Sequence, residues 1–261
     1  MAWRVSGKTP YVATFACFLT RAADFIRMAA YSRPPHLVFC GSHAGISIGE
    51  DGSSQMGLED VAMFRAIEGS TVLCPADAVS AERLTEMAAD RAGIVYLRTT
   101  RPKLPILYDG NDSFPIGGSK TLRSSKQDAV TIIASGVTVA EALAAHEALA
   151  KRGIAVRVID AYSIKPIDRE MLARAAQETR AILTVEDHRS EGGLGDAVAE
   201  ALPTPIADPA PGRARHPAFR HGSPAARPAR HFPPRHRGSS GRADRLERDG
   251  FGTKLNRALN F

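Results

Sequence analysis

Residue types that could do chemistry crowd into one short segment, GSHAGISIGEDGSSQ (41–55), which holds His43, the adjacent carboxylates Glu50 and Asp51, several serines and Gln55. An imidazole beside two carboxylates could hold a metal, glycines could cradle a phosphate, and the run could simply be polar surface. The acidic residues lack the alternating spacing of a calcium loop, so no metal is expected here. The glycines do not form a G-x-G-x-x-G leading into a helix, which sets aside a dinucleotide fingerprint. A fifteen-residue irregular segment placed directly after an apolar run is more often functional than idle.

Two further groups compete with it. VEDHRSEGGLGDAV (185–198) offers Glu186, Asp187 and His188 as metal ligands or as an acid–base group. The simpler reading is a strand that ends at Val185 and glycines that turn into the next helix, and composition favours it. YLRTTRP (96–102) offers Arg98 and Arg101. A guanidinium at a strand end can clamp a phosphate or a carboxylate, or can be a solvated charge, and residue type alone does not decide.

The elements that must position these groups alternate. FLTRAADFIRMAA places Phe18, Ala22, Phe25, Ile26 and Ala29 on one helical stripe. HLVFC (36–40) is the continuous apolar run of a buried parallel strand. A helix pattern in LEDVAMFRAI follows, then strand STVLC (70–74), helix DAVSAERLTEMAADRAG and strand GIVYLR (93–98). Residues 101–118, with three prolines and three glycines, read as a connection. A second unit runs through strand 129–135, a helix from Thr138 to Gly153, strand 154–160, helix 168–179, strand 181–187 and a helix near 191–202. Thr138 three residues before Glu141 reads as a capping box. The expected fold is α/β, two consecutive doubly wound and mainly parallel sheets, with ligands at the strands' carboxyl ends. Segment 41–55 follows a strand and so lies where a site belongs.

Composition narrows the partners. The net charge of +6 is confined to the C-terminal part, since residues 1–202 carry 22 Lys and Arg against 24 Asp and Glu. Nucleic acid is therefore not expected as a partner of the body. Apolar runs are too short for a membrane span, the N-terminus lacks a clean signal-peptide core, and the cytoplasm is the expected compartment. Cys17, Cys40 and Cys74 have neither disulfide nor zinc spacing and read as reduced, interior residues. After Leu202 the character changes: residues 203–250 hold nine prolines, ten arginines and four histidines, and read as a disordered basic tail. Such a break inside an otherwise regular domain is the expected mark of a change of reading frame; a basic tail that binds nucleic acid or acidic partners is the rival reading.

Taken together, several segments resemble the transketolase family. The resemblance is carried by TFACFLTRAADFIRMAA (14–30), CGSHAGISIGEDGSSQMGLEDVAMFR (40–65), RTTRP (98–102), GVTVAEAL (136–143), IKPID (164–168) and VEDHRSEGGLGDAVAEAL (185–202). It implies a partial pyrimidine-binding domain over 1–116, a truncated transketolase C-terminal domain over 117–202, and the tail over 203–261. It also implies thiamine-diphosphate-dependent transfer of a two-carbon ketol unit between sugar phosphates, in the pentose phosphate pathway. The cofactor supplies the carbanion chemistry, and the protein positions and polarises.

By motif, Phe18 resembles the aromatic residue that packs on the cofactor's pyrimidine, and Gln55 a residue near the cofactor. His43 and Asp51 resemble residues that bond sugar hydroxyls, and Arg101 the one that grips the sugar phosphate. The resemblance leaves Arg98 the lesser candidate and keeps Glu186, Asp187 and His188 structural. The family's diphosphate domain, which holds Mg2+, and its Ala-Glu-Gln glutamate have no counterpart in this sequence. Only 13 residues precede Thr14, and none is acidic. The chain alone is thus expected to be inactive, with no catalytic residue assigned in it. Its expected protein partner is a transketolase-type homodimer or an N-terminal transketolase subunit. The alternatives are a non-catalytic assembly partner of a full-length transketolase and the remnant of an interrupted gene.

Overall fold

The computed structural model describes residues 7–33 and 36–202, together with the backbone of 218–222. In the first sheet β1 (Tyr11–Phe15), β2 (His36–Ser42), β4 (Gly93–Arg98) and β3 (Thr71–Leu73) run parallel in that spatial order. In the second, β9 (Ala181–Val185), β6 (Val130–Ala134) and β7 (Val156–Asp160) run parallel. An antiparallel edge strand, β5 (Lys120–Arg123), closes the β7 side. Largely apolar runs such as Val130–Ala134, buried at every position, are what a sheet covered on both faces requires. The expectation of two mainly parallel α/β units holds.

The helices are α1 (Ala23–Tyr31), α2 (Asp60–Ala66), α3 (Ala78–Asp90), α4 (Thr138–Ala150), α5 (Arg169–Glu178) and α6 (Leu194–Ala201). Two 3-10 segments, Ala16–Ala22 and Ile46–Asp51, sit in the first unit. Among the described residues no helix is long and apolar enough to cross a membrane.

The two units are not separate bodies. A short strand, β8 (Ser163–Lys165), leaves the second unit and pairs antiparallel with β3 of the first. One apolar cluster joins Leu19, Phe39 and Phe64 to Leu172, Ile182 and Leu194. A second joins Val38, Leu73 and Leu84 to Val130, Val139 and Val158. Lys165 adds a polar tie, its ammonium donating to the carbonyls of Arg65 (2.8 Å) and Ile67 (2.7 Å) at the end of α2. Burial lowers the pKa of this lysine.

Three expectations are corrected. The capping box at Thr138 does not form: Val137 is the N-cap and no side chain caps the helix. The Thr138 hydroxyl instead donates to Ser135 (2.9 Å) and to Val185 (2.8 Å), across to β9. A capping box occurs at Asp77 and Ser80, opening α3. The single stripe over 18–29 breaks, because Ala16–Ala22 is a 3-10 helix. Its residues advance about 120° each against about 100° in α1, so the apolar face loses phase across the junction. Ile26 is buried while Phe25 stays outside, 77% exposed. Finally, Ala218–Gly222 lies inside the stretch expected to be disordered and forms β10, parallel to β9 in register from Ala218↔Ala181 to Gly222↔Val185. The rest of that stretch lies outside the described residues.

Candidate functional site

The carboxyl ends of β2 and β4 carry the segment singled out in the sequence. β2 ends at Ser42, and the chain turns at once through His43, which adopts a left-handed φ of 55°. Its ring lies on Phe15, centroids 4.0 Å apart and planes within 13°. Phe15 in turn stacks on Phe18, centroids 5.6 Å apart and planes within 2°. His43, Phe15 and Phe18 therefore form a ladder of three flat rings, and the outer rung, Phe18, remains 43% exposed. The His43 Nδ1 is 3.0 Å from the Ser42 hydroxyl.

Arg101 reaches back over the same segment. It donates to the Ile48 carbonyl at 2.8 Å and pairs with Glu50 at 2.9 Å and Asp51 at 3.6 Å. The Glu50 carboxyl is held below its ordinary range by a hydrogen bond from its own backbone N–H and then by Arg101. The pairs are exposed, so they orient the side chains more than they stabilise the fold. Gln55 sits further along, its amide oxygen accepting from Ser54 and its N–H donating to Gly52 at 3.2 Å. The structure thus groups His43 with Phe18 through Phe15, and Arg101 with Asp51. Among the described residues no hydrogen bond links Gln55 to either pair.

What holds this segment in place comes largely from the other unit. Asp187, just past β9, accepts the Ile46 N–H at 2.9 Å. Gly45, at φ 78°, lies so close that a Cβ there would meet Asp187 Oδ2 at 1.8 Å. Only glycine satisfies both the backbone angle and the approach. Beneath, Arg98 is buried and donates from Nε to Asp60 (2.7 Å) and from Nη2 to the carbonyls of Gly57 (3.0 Å) and Asp187 (2.7 Å). Burial works against the Arg98 charge, but Asp60 more than offsets it and the pKa lies above the ordinary arginine value. Tyr96 donates to the same Asp60 oxygen at 2.5 Å.

Neighbouring Glu186 caps α6, accepting the N–H groups of Leu194 (2.6 Å) and Gly195 (2.9 Å). His188 packs between Arg189, whose carbonyl is 2.7 Å from Nδ1, and Ala62, whose N–H donates to Nε2 at 3.4 Å. Glu186, Asp187, His188 and Arg98 are all structural in this geometry. Among the described residues no cluster of three or more His, Cys, Asp or Glu could hold a metal ion.

A parallel sheet with such a segment at its carboxyl edge, bolted to a second α/β unit, defines a class, and family comparison gives the class its content. Residues 1–106 match the model of the transketolase pyrimidine binding domain, and residues 119–229 that of the transketolase C-terminal domain. The pyrimidine-binding domain of thiamine-diphosphate enzymes is therefore present, and the second match runs past Leu202 through β10. Human transketolase is 52% identical over 194 residues, covering 74% of this chain and 31% of that protein. Bovine transketolase-like protein 1 is 48% identical over 193 residues, covering 74% and 32%. Among solved structures, a split-gene transketolase in an inactive β4 tetramer is 37% identical with a TM-score of 0.70, covering 77% of this chain and 64% of that one. Transketolase of Pichia stipitis in complex with sedoheptulose 7-phosphate is 28% identical with a TM-score of 0.62, covering 70% and 27%. The chain belongs to the transketolase family, and spans about a third of the length of the curated relatives it matches.

Proposed function

We propose that the chain forms the pyrimidine- and sugar-facing part of a transketolase-type enzyme that moves a two-carbon ketol unit between sugar phosphates. The observation that carries this reading is the grouping at the β2 and β4 ends: a ring ladder ending in exposed Phe18, beside a segment where Arg101 meets Asp51. An exposed aromatic face suits the cofactor's pyrimidine ring. His43 and Asp51 offer a donor–acceptor pair for sugar hydroxyls, and the Arg101 fork suits a phosphate dianion. In this form that fork is satisfied by Glu50 and Asp51, so a phosphate would replace those partners. Gln55 is placed near the cofactor by motif alone.

Thiamine diphosphate, when bound, supplies the carbanion chemistry. The residues present fit the ring end of that molecule. They do not fit its metal-bound end, because the described residues offer no metal site. The chain therefore works together with a transketolase region that holds the diphosphate, Mg2+ and the Ala-Glu-Gln glutamate. The inactive state of the β4 tetramer of a 37% identical split-gene relative supports this requirement, and the sugar-phosphate complex of the Pichia stipitis relative supports the substrate class.

A coupled transketolase assay tests the proposal. Purified chain with thiamine diphosphate and magnesium should give no turnover, and turnover should appear when the unmatched two-thirds of a transketolase is co-expressed with it. Robust turnover by the chain alone would refute the requirement for the missing region. Full activity of a His43→Ala, Arg101→Leu double variant in the assembled enzyme would refute the site.

A further inference from the structure

The His43 ring is constrained from three directions, and one of them decides which of its nitrogens carries the proton. Phe15 sets the plane of the ring, with centroids 4.0 Å apart and planes within 13°. The backbone sets its point of departure. His43 keeps a left-handed φ of 55° because the chain around it is bonded on both sides. The Ala44 N–H donates to the Thr99 carbonyl (3.1 Å), the Thr99 N–H to Gly41 (2.8 Å) and the Gly45 N–H to Gly57 (2.9 Å). A residue with a side chain holds such a backbone only where its surroundings over-determine it, and these positions gather at functional sites.

Ser42 supplies the third constraint. Its hydroxyl lies 3.0 Å from His43 Nδ1 and donates to the Thr14 carbonyl at 3.4 Å. A hydroxyl has one proton to give and lone pairs with which to accept. With its proton turned to Thr14, it can only accept from Nδ1, so Nδ1 must carry a hydrogen. A bare Nδ1 would draw that proton away from Thr14 and leave two oxygens facing each other unbonded. A ring flipped about its Cβ–Cγ bond would set a carbon against the hydroxyl. Both bonds form together only in the Nδ1–H tautomer. The other nitrogen, Nε2, has no hydrogen-bond partner among the described residues, and the side chain is only half-buried.

We propose that Ser42 is a positioning residue that holds neutral His43 as its Nδ1–H tautomer and so makes Nε2 the ring's ligand-facing proton acceptor. The two tautomers of an imidazole exchange their donor and acceptor ends, and the bond made by one nitrogen fixes the role of the other. With Nδ1 committed to Ser42, a sugar hydroxyl can donate to Nε2 directly. An anionic oxygen binds there once Nε2 has taken up a proton, and the Nδ1–H bond to Ser42 is unchanged by that step. Ser42 acts through His43 and needs no contact with substrate. The tautomer is carried by the geometry, while its use in binding rests on the proposed reading of His43 as a sugar-facing residue.

The test reads the ring itself. The full 261-residue chain is isotope-labelled at its histidine ring nitrogens, and the His43 signals are identified by their loss in His43→Gln. At a pH where the ring is neutral, long-range proton–nitrogen NMR spectra separate a protonated nitrogen from a bare one. Nδ1 should be protonated and Nε2 bare in the parent. A single hydrogen bond moves such a balance by up to about tenfold, so Ser42→Ala should shift it towards Nε2–H by roughly that factor. Ser42→Thr, which keeps a hydroxyl, should restore it. In the enzyme assembled with the unmatched two-thirds of a transketolase, Ser42→Ala should raise KM for a sugar phosphate at least about threefold and leave kcat within about twofold, because the contact is made alike in ground and transition states. In a His43→Ala background the same substitution should add nothing.

A parent ring with its proton on Nε2, or a tautomer indifferent to Ser42→Ala, would overturn the proposal. So would a rise in KM that persists undiminished in the His43→Ala background, since Ser42 would then have a contact of its own. An Nδ1–H tautomer under the control of Ser42, with KM unmoved by both Ser42→Ala and His43→Ala, would instead refute the sugar-facing reading of His43 and leave the tautomer standing.

Discussion

Asp160 should make the chain less stable as pH rises through neutrality. It ends β7 with its side chain fully buried, and Tyr108, from the connection between the units, donates to its Oδ2 at 2.6 Å. Oδ1 has no partner. Burial pushes the carboxyl up from an ordinary 3.8 to about 7; the Tyr108 hydrogen bond opposes the rise and the Asp77 charge adds to it. Within that window the folded chain holds a proton that the unfolded chain releases. Stability from this group is complete below about 3.8 and is lost as pH climbs to about 7, a fall of about 4 kcal/mol.

Asp160→Asn keeps an acceptor for Tyr108 and removes the charge. It also leaves a buried NH2 where Oδ1 stands, a cost of about 1–3 kcal/mol. The variant should therefore gain about 1–3 kcal/mol over the parent at pH 8, raising Tm by roughly 2–10 °C for a body of this size. Thermal unfolding of both proteins at pH 5, 6, 7 and 8 provides the measurement. The difference should grow with pH and flatten above about 7. A difference independent of pH, or a variant less stable than the parent at pH 8, would refute the reasoning.

Three other substitutions probe the joint between the units and the site it holds. Gly45→Ala forces a left-handed φ on a residue with a Cβ and drives that carbon into Asp187; it should cost about 2–4 kcal/mol in urea unfolding and speed exchange of the Ile46 amide. Glu186→Ala strips the acceptor from two N–H groups at the start of α6 and should cost about 1–2 kcal/mol by the same measurement. Arg101→Leu, at a part-exposed position, should leave Tm within about 1 °C but raise KM for a sugar phosphate at least about tenfold in the assembled enzyme. An unchanged KM would remove Arg101 from the phosphate site.

The parts of the fold legible in the sequence are those written in local pattern. β4 appears over the residues of GIVYLR, and β2 and β6 as mainly apolar runs, because a strand covered on both faces must be largely apolar. What escaped was decided at a distance. β8 is three residues long and exists only because β3 lies beside it. Thr138 has the spacing of a cap, yet the Val185 carbonyl on another strand competes for its hydroxyl, and tertiary contact outranks the local motif. Asp187 was assigned to structure by motif, but its task as the pin of Ile46 needs the two units already docked; the glycine at 45 was the only trace of it in the sequence. The same division explains the candidate site. His43, Asp51 and Arg101 are singled out by resemblance to family motifs, whereas Phe15, the rung that joins His43 to Phe18, looks in the sequence like any strand-end aromatic. The candidate residues were legible by motif, and their orientation was not, because the second unit and the edge strand supply it.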